Sequence, residues 1–442
     1  MKLLIYTPHI TSRIEYTTAL LFGTIGGLTV QCTKDKAAFI NTTHCFKINY
    51  TAAPVCSLEL WIQPHGLLEQ EDIAQQQILV TQWKGMPVFF GTNGHLPFDL
   101  LAASFYLVSR YEEYLPNQQD AYGRYAHTNS LAYQHNFLQA PLVNQWVAAT
   151  IAMLQQQQPL IRIPKPDFKF LPTYDIDIAY CYLHKPLIQN IGGFIKDLFT
   201  GRINKVLERA GVLLMGMKDP FVNYDFMDAM HEICNLHPVY FFLLAQKRKA
   251  YDKNISPNNK YMQQLIRWLH KKYITGIHPS WQSNNSHAVV QQEISLLQSI
   301  TGKPVTHSRQ HYIKMNLPET YSQLLQAGIQ HDYSMGYGSI NGFRASVATP
   351  FYWFNLAANM ATPLLIHPFC YMEANSFFEQ HYTAETAAKE LQYYHDITKA
   401  TGGTLITIFH NHFLTEQKEW QDWREMYRLF ILNNFPRVKK YH

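Results

Sequence analysis

Short apolar runs alternate with amphipathic stretches from the first residues onward. KLLIYT at 2–7 reads as a strand, Ile14 to Phe22 as a helix, and LTVQC and LELWIQP as two further strands. PVFFGTNGHLPFDLLAASFYLVSRYEEYL joins a strand, a glycine-containing turn and a long amphipathic helix that Pro97 or Asp99 would start. TNG lacks the glycine spacing of the nucleotide fingerprints and reads as a plain turn. Gln155 to Gln158 and the prolines of PLIRIPKPDFKF read as a connection. They place an α/β module over residues 1–160 and a second domain over 165–442, with the boundary near residue 165.

Beyond the connection come strand-like FLPTYDID, a long polar and helical stretch to about residue 235, and strand-like PVYFFLLA. A helix over 259–272, strand-like YITGIHPSW, a helix over 287–300, strand-like THSRQHYIKM and a helix over 318–327 follow. IQHDYSM, PLLIHPF and TLITIFHNH supply the remaining strands. Repeated strand-then-helix units with chemistry at the strand ends predict an α/β fold: the N-terminal module, then a (β/α) barrel, whole or short of one unit.

Composition narrows the function. Nearly half the 442 residues are apolar, enough for sizeable cores and against disorder. The net charge of +5 owes much to Arg437, Lys439 and Lys440, and no basic stripe runs along the chain, which excludes nucleic acid as a partner. The six cysteines, at 32, 45, 56, 181, 234 and 370, form no CxxC pair and point to reduced thiols in a cytoplasmic setting. The apolar run of MKLLIYTPHI is broken by Pro8 and His9, so it reads as a strand rather than a signal peptide. No run is long enough for a transmembrane segment, although a lipid-linked substrate could still bring the protein to a membrane surface.

The candidate chemistry lies at strand ends. In TYDID, Asp175 and Asp177 are two residues apart and face the same side of a strand. Two carboxylates so close need a cation beside them, and a divalent metal is one solution; capping the next helix is the other. GIHPSW ends a strand on His278, SRQHYIKM places Arg309 and His311 on one strand face, and TIFHNHF ends on His410 and His412. An inward arginine orients a carboxylate. Four such pieces in one domain predict a catalytic or formerly catalytic centre.

In this order, TYDID, GIHPSW, TGKPVTHSRQHYIKMNLPETYSQLLQAGIQHDYSMGY and TIFHNHF resemble the polysaccharide deacetylases, the NodB-homology or carbohydrate esterase four group, over about residues 165–415. The resemblance implies an irregular (β/α) barrel of the NodB type. It also implies a metal-dependent hydrolase, with zinc the expected divalent ion, that removes an N-acetyl or O-acetyl group from a sugar or glycan, free or lipid-linked. Asp175 would then be the general base, Arg309 the residue that positions it and His410 the general acid, with Asp177 and His278 as metal ligands. The chain departs from the family at Gln282, where the second metal histidine is expected, and glutamine is a weak ligand for transition metals. His311 is the first candidate to replace it and His287 the second. The other reading is a barrel that has lost its metal and serves as a carbohydrate-binding or scaffold protein.

Aromatic residues suited to stacking on sugar faces surround these motifs: Trp281 and Tyr312, then Tyr174, Tyr333, Tyr337 and Trp353, most of which must pack in a core. Arg344, in the long loop GYGSINGFRASVATPFYWF, either meets a carboxylate or phosphate on the glycan or its carrier, or makes a local salt bridge. His367 in LIHPFCYME either supports the site from behind or is merely packed.

Overall fold

The computed structural model describes residues 1–159, 163–164, 166–248, 251–284 and 286–437. Residue 165, the expected boundary, lies outside the described residues, as do Lys439 and Lys440. Four strands, β1 (Lys2–Tyr6), β2 (Thr29–Thr33), β3 (Phe46–Tyr50) and β4 (Leu60–Ile62), form a parallel sheet in the order β2-β1-β3-β4. Leu3, Ile5, Ile48, Leu60 and Ile62 are buried in the core. β3 was not among the expected strands. A small antiparallel hairpin, β5 (Thr81–Trp83) and β6 (Met86–Val88), stands apart from this sheet.

Asp99 caps the helix Leu100–Val108, accepting from Ala102 N at 3.0 Å. Instead of a long amphipathic helix, the structure shows one buried on every side that stops at Val108. Arg110 then takes a left-handed backbone, φ 55°, which turns its guanidinium onto Glu112 and Glu113. Of the glutamines expected in a connection, Gln155 to Gln157 instead extend the helix Leu142–Gln157 and Gln158 ends it.

The second sheet has nine strands: β7 (Phe168–Ile176), β8 (Val239–Leu243), β9 (Ile274–His278), β10 (His307–Ser308), β11 (His331–Asp332), β12 (Phe351–Asn355), β13 (Met360–Ile366), β14 (Tyr371–Met372) and β15 (Gly403–His410). Their order is β12-β13-β11-β10-β9-β8-β7-β15-β14, parallel except for β12 against β13. The chain is thus an α/β protein, a parallel N-terminal sheet module followed by an irregular, mostly parallel barrel sheet. Val239, Phe241, Tyr333, Phe369, Ile406 and Ile408 form a core cluster of their own within this sheet. No helix among the described residues is long and apolar enough to cross a membrane.

A buried charge network ties the two parts together. Glu113 bonds Arg344 twice, Nη2 to Oε2 at 2.6 Å and Nε to Oε1 at 2.8 Å, and also accepts from Arg110 Nε at 2.7 Å. Arg110 reaches on to Glu112 Oε1 at 2.7 Å and to the Arg344 carbonyl. The expected cleft role for Arg344 is therefore corrected. It is 1% exposed and its guanidinium is consumed by Glu113 and the Gly336 carbonyl, so it makes a buried, long-range salt bridge rather than a local one.

Candidate functional site

Parallel pairing gathers the strand ends. β7 and β15 are neighbours in register, with Asp175 opposite His410, while β9 lies two strands away on the other side of β8. The β9–β10 ladder continues past its named ends: Arg309 N donates to the Ile277 carbonyl at 3.1 Å and His311 N to the Pro279 carbonyl at 3.3 Å. His311 itself sits in a short helical turn, His311–Ile313, rather than in a strand. Asp175, Asp177, His278, His311, Tyr312, His410 and His412 all line one cavity of about 590 Å³.

Within it, Asp177, His278 and His311 bring ligand atoms to within 4.8 Å of one another and form a group that could hold a metal ion. His278 Nε2 stands 3.2 Å from Asp177 Oδ1, and His311 Nε2 3.4 Å from Asp177 Oδ2. His278 Nδ1 lies 2.5 Å from the Arg309 carbonyl, which can only accept, so Nδ1 carries the proton and Nε2 presents a lone pair. Asp177 Oδ1 is buried without a hydrogen-bond partner. Two acceptors facing each other in a buried place suit a cation, and one carboxylate with two imidazoles is a donor set for zinc-like ions. Burial alone would lower the His311 pKa, but Asp177 and Asp252 overcome it and push it up to about 9. Burial works against ionisation of Asp177, yet His311 above all holds it well below the carboxylate range.

Two supporting carboxylates escaped the sequence pattern. Asp252, in the loop after β8, accepts from His311 Nδ1 at 3.0 Å, from Trp281 N at 3.0 Å and from Gln282 Nε2 at 3.1 Å. Gln282 therefore serves the group from behind, holding the carboxylate that orients His311. Glu373, just past β14, accepts from both the backbone N and Nδ1 of His410, at 2.5 and 2.7 Å. Burial would lower the His410 pKa, but Glu373 first, then Asp177 and Asp175, push it up to about 10. His410 Nε2 points back at Asp177 Oδ2, 3.5 Å away. Burial, with His410 beside it, lowers His412 to about 3, so its ring is neutral.

Arg309 is fully buried against the Phe241 ring, donating through Nη1 to Asp175 Oδ1 at 2.8 Å and through Nε to the Tyr333 carbonyl at 3.0 Å. That fixes one oxygen of Asp175 and leaves Oδ2 facing His278 Nε2 at 3.7 Å. Tyr312, Tyr122, Tyr251 and Arg124 form part of the cavity wall, Tyr122 and Arg124 coming from the N-terminal part. Trp281 is set behind them, its ring 4.2 Å from that of Tyr251 with Lys314 Nζ 3.7 Å over its face. His287 begins the helix His287–Thr301 and is not part of the Asp177 group. His367 stacks on Tyr333 at 4.2 Å and contacts His331, packed away from the cavity.

Asp252→Ala is expected to weaken divalent-metal affinity by about 10- to 100-fold while leaving the fold intact, the usual cost of losing the partner of a ligating histidine. Competition with a chromogenic chelator measures it. Unchanged affinity would separate Asp252 from the group.

Fold and site thus define an α/β barrel chain with an Asp-His-His group able to take a metal. Residues 3–159 match a family described only as of unknown function (DUF7033). No curated protein matches the chain. Among solved structures, a putative polysaccharide deacetylase from Mycobacterium smegmatis is similar at 12% identity and a TM-score of 0.38, over 64% of this chain and 96% of that one. A polysaccharide deacetylase from Bacillus cereus is similar at 10% identity and a TM-score of 0.30, over 63% and 95%.

Proposed function

We propose that the chain is a metal-dependent hydrolase that removes an acetyl group from an N- or O-acetylated sugar, free or lipid-linked. The observation that carries this reading is the convergence, in one cavity, of the Asp177–His278–His311 group with an arginine-held carboxylate on one side and a carboxylate-backed histidine on the other. Asp177, His278 through Nε2 and His311 through Nε2 would hold the ion, the number and kind of protein ligands that catalytic zinc uses. When bound, such an ion polarises a carbonyl and lowers the pKa of water.

The chain's own groups do the rest. Asp175 Oδ2, with its partner oxygen fixed by Arg309, takes the proton of the attacking water. His410, kept protonated by Glu373, gives a proton to the departing amine or alcohol at its Nε2. Tyr122, Tyr251 and Tyr312 offer flat rings to the sugar. Against the alternative of a decayed, sugar-binding barrel, which rests on Gln282, stands the bond from Gln282 to Asp252 behind the metal group.

The test is acetate release from acetylated hexosamine oligomers by zinc-loaded protein. Glu373→Gln is expected to lower kcat by about 10²-fold, and His410→Asn by up to ~10⁴-fold, with metal content unchanged, the range for losing a general acid. No acetate from N- or O-acetylated sugars at full metal occupancy would overturn the reading.

A further inference from the structure

Between Asp177 and the helix Tyr224–Cys234 the chain inserts two helices, Leu187–Phe199 and Ile203–Leu214. The expectation of a polar stretch here is corrected, because most large apolar side chains of the pair face outward while polar groups join Val206 and Val212 inside. Its buried positions include Asn190 and Asp197, both bonded to Arg209, Nη1 to Asn190 Oδ1 at 3.2 Å and Nη2 to Asp197 Oδ2 at 2.8 Å. Gly193 admits that arginine: a Cβ there would lie 2.6 Å from its guanidinium. The outer face carries Leu187, Ile188, Phe199, Leu214 and Met215, each at least 75% exposed, with Ile191, Ile195, Leu198 and Leu207 between them. A soluble surface rarely leaves so many large apolar side chains contiguous.

Charge indicates what covers this face. Lys196 and Arg202 are exposed on the pair and make no ion pair among the described residues, whereas Asp197 is buried and Glu208 accepts from Gln417. The exposed acids at its border are already matched, Glu419 by Lys205 at 2.9 Å and Asp225 by Lys218 at 3.4 Å. Large aliphatic and phenylalanine side chains rimmed by lysine and arginine are the pattern of helices that lie in a lipid interface. A second copy would bring Lys196 and Arg202 against themselves about a two-fold axis, while the bordering acids Glu419 and Asp225 already hold Lys205 and Lys218.

The face also has a direction. Asp219 at its root accepts from the backbone N–H groups of Cys181, Tyr182 and Leu183 at 2.8, 2.8 and 2.9 Å. Asn411, next to His410, donates to the Ile178 and Phe221 carbonyls at 3.1 Å each. The pair is thus rooted at the strand ends that bear the cavity.

We propose that the helix pair 187–214 docks the protein on an anionic phospholipid surface and holds the cavity end of the barrel towards it. This stands whether or not the cavity hydrolyses acetyl groups, and its test does not use activity. Full-length protein is floated with phosphatidylcholine vesicles with and without phosphatidylglycerol. Binding is expected to the anionic vesicles, falling with added salt. Ile188→Asp and Phe199→Asp should each weaken it about ten-fold or more, the scale of one large apolar side chain kept in water. Both positions are exposed, so the variants should keep the wild-type unfolding transition, and light scattering reports oligomeric state alongside. Lys196→Glu with Arg202→Glu should abolish the preference for anionic vesicles. No binding to either vesicle would overturn the proposal, as would binding indifferent to these substitutions. A dimer that Phe199→Asp splits, without vesicle binding, would assign the face to a second copy instead.

Discussion

His311→Ala is expected to strip the chain of its metal and of its hydrolysis together, with activity down by ~10³-fold or more, the scale of losing a Lewis acid and an activated water. Removing His311 leaves Asp177 and His278, and two protein ligands fall short of the three that catalytic zinc sites keep. It also leaves Asp252, 2% exposed, without its histidine partner. Metal content of protein purified without added metal, measured beside His278→Ala and Gln282→Ala, decides the matter. Both histidine variants should come out empty and Gln282→Ala should stay largely loaded. Stoichiometric metal in His311→Ala would remove it from the ligand set and return attention to His287.

The second large effect is on stability. Glu113→Gln should cost about 3–5 kcal/mol at neutral pH, because it leaves two buried guanidiniums short of their shared carboxylate. Burial alone would raise the Glu113 pKa, yet Arg344 and Arg110 pull it from the ordinary 4.5 to about 2. A depressed carboxyl contributes stability above its unfolded value and loses it as the pH falls through the folded one. The gap between wild type and Glu113→Gln should therefore be full at neutral pH and shrink as the pH is taken from 4.5 towards 2. Urea midpoints across that range measure it, and a pH-independent gap would mean that Glu113 matters by shape alone.

The reach of the sequence can be judged residue by residue. Period-two alternation in TYDID and the strand ends at His278 and His410 were readable because parallel pairing aligns strand ends whatever lies between them. Asp252 was not, since it stands in a loop far along the chain from His311 and belongs to no repeating pattern. Glu373 offered a faint signal, an acid directly after a short apolar strand. Arg344 looked like a surface loop residue because its partner Glu113 lies 231 positions away. The helix pair 187–214 falls in a stretch read as polar although half of its own residues are apolar, and only the fold reveals that Asn190, Asp197 and Arg209 face inward.

The strand order has a consequence for how the protein is made. β15, the last described strand to leave the ribosome, pairs along eight residues with β7, the first strand of the same sheet. Until residue 410 has emerged, one full edge of β7 stays open, offering unpaired N–H and carbonyl groups to any passing chain. Parallel pairing over so long a sequence separation is slow to form, and a nascent chain in that condition is a natural client for chaperones.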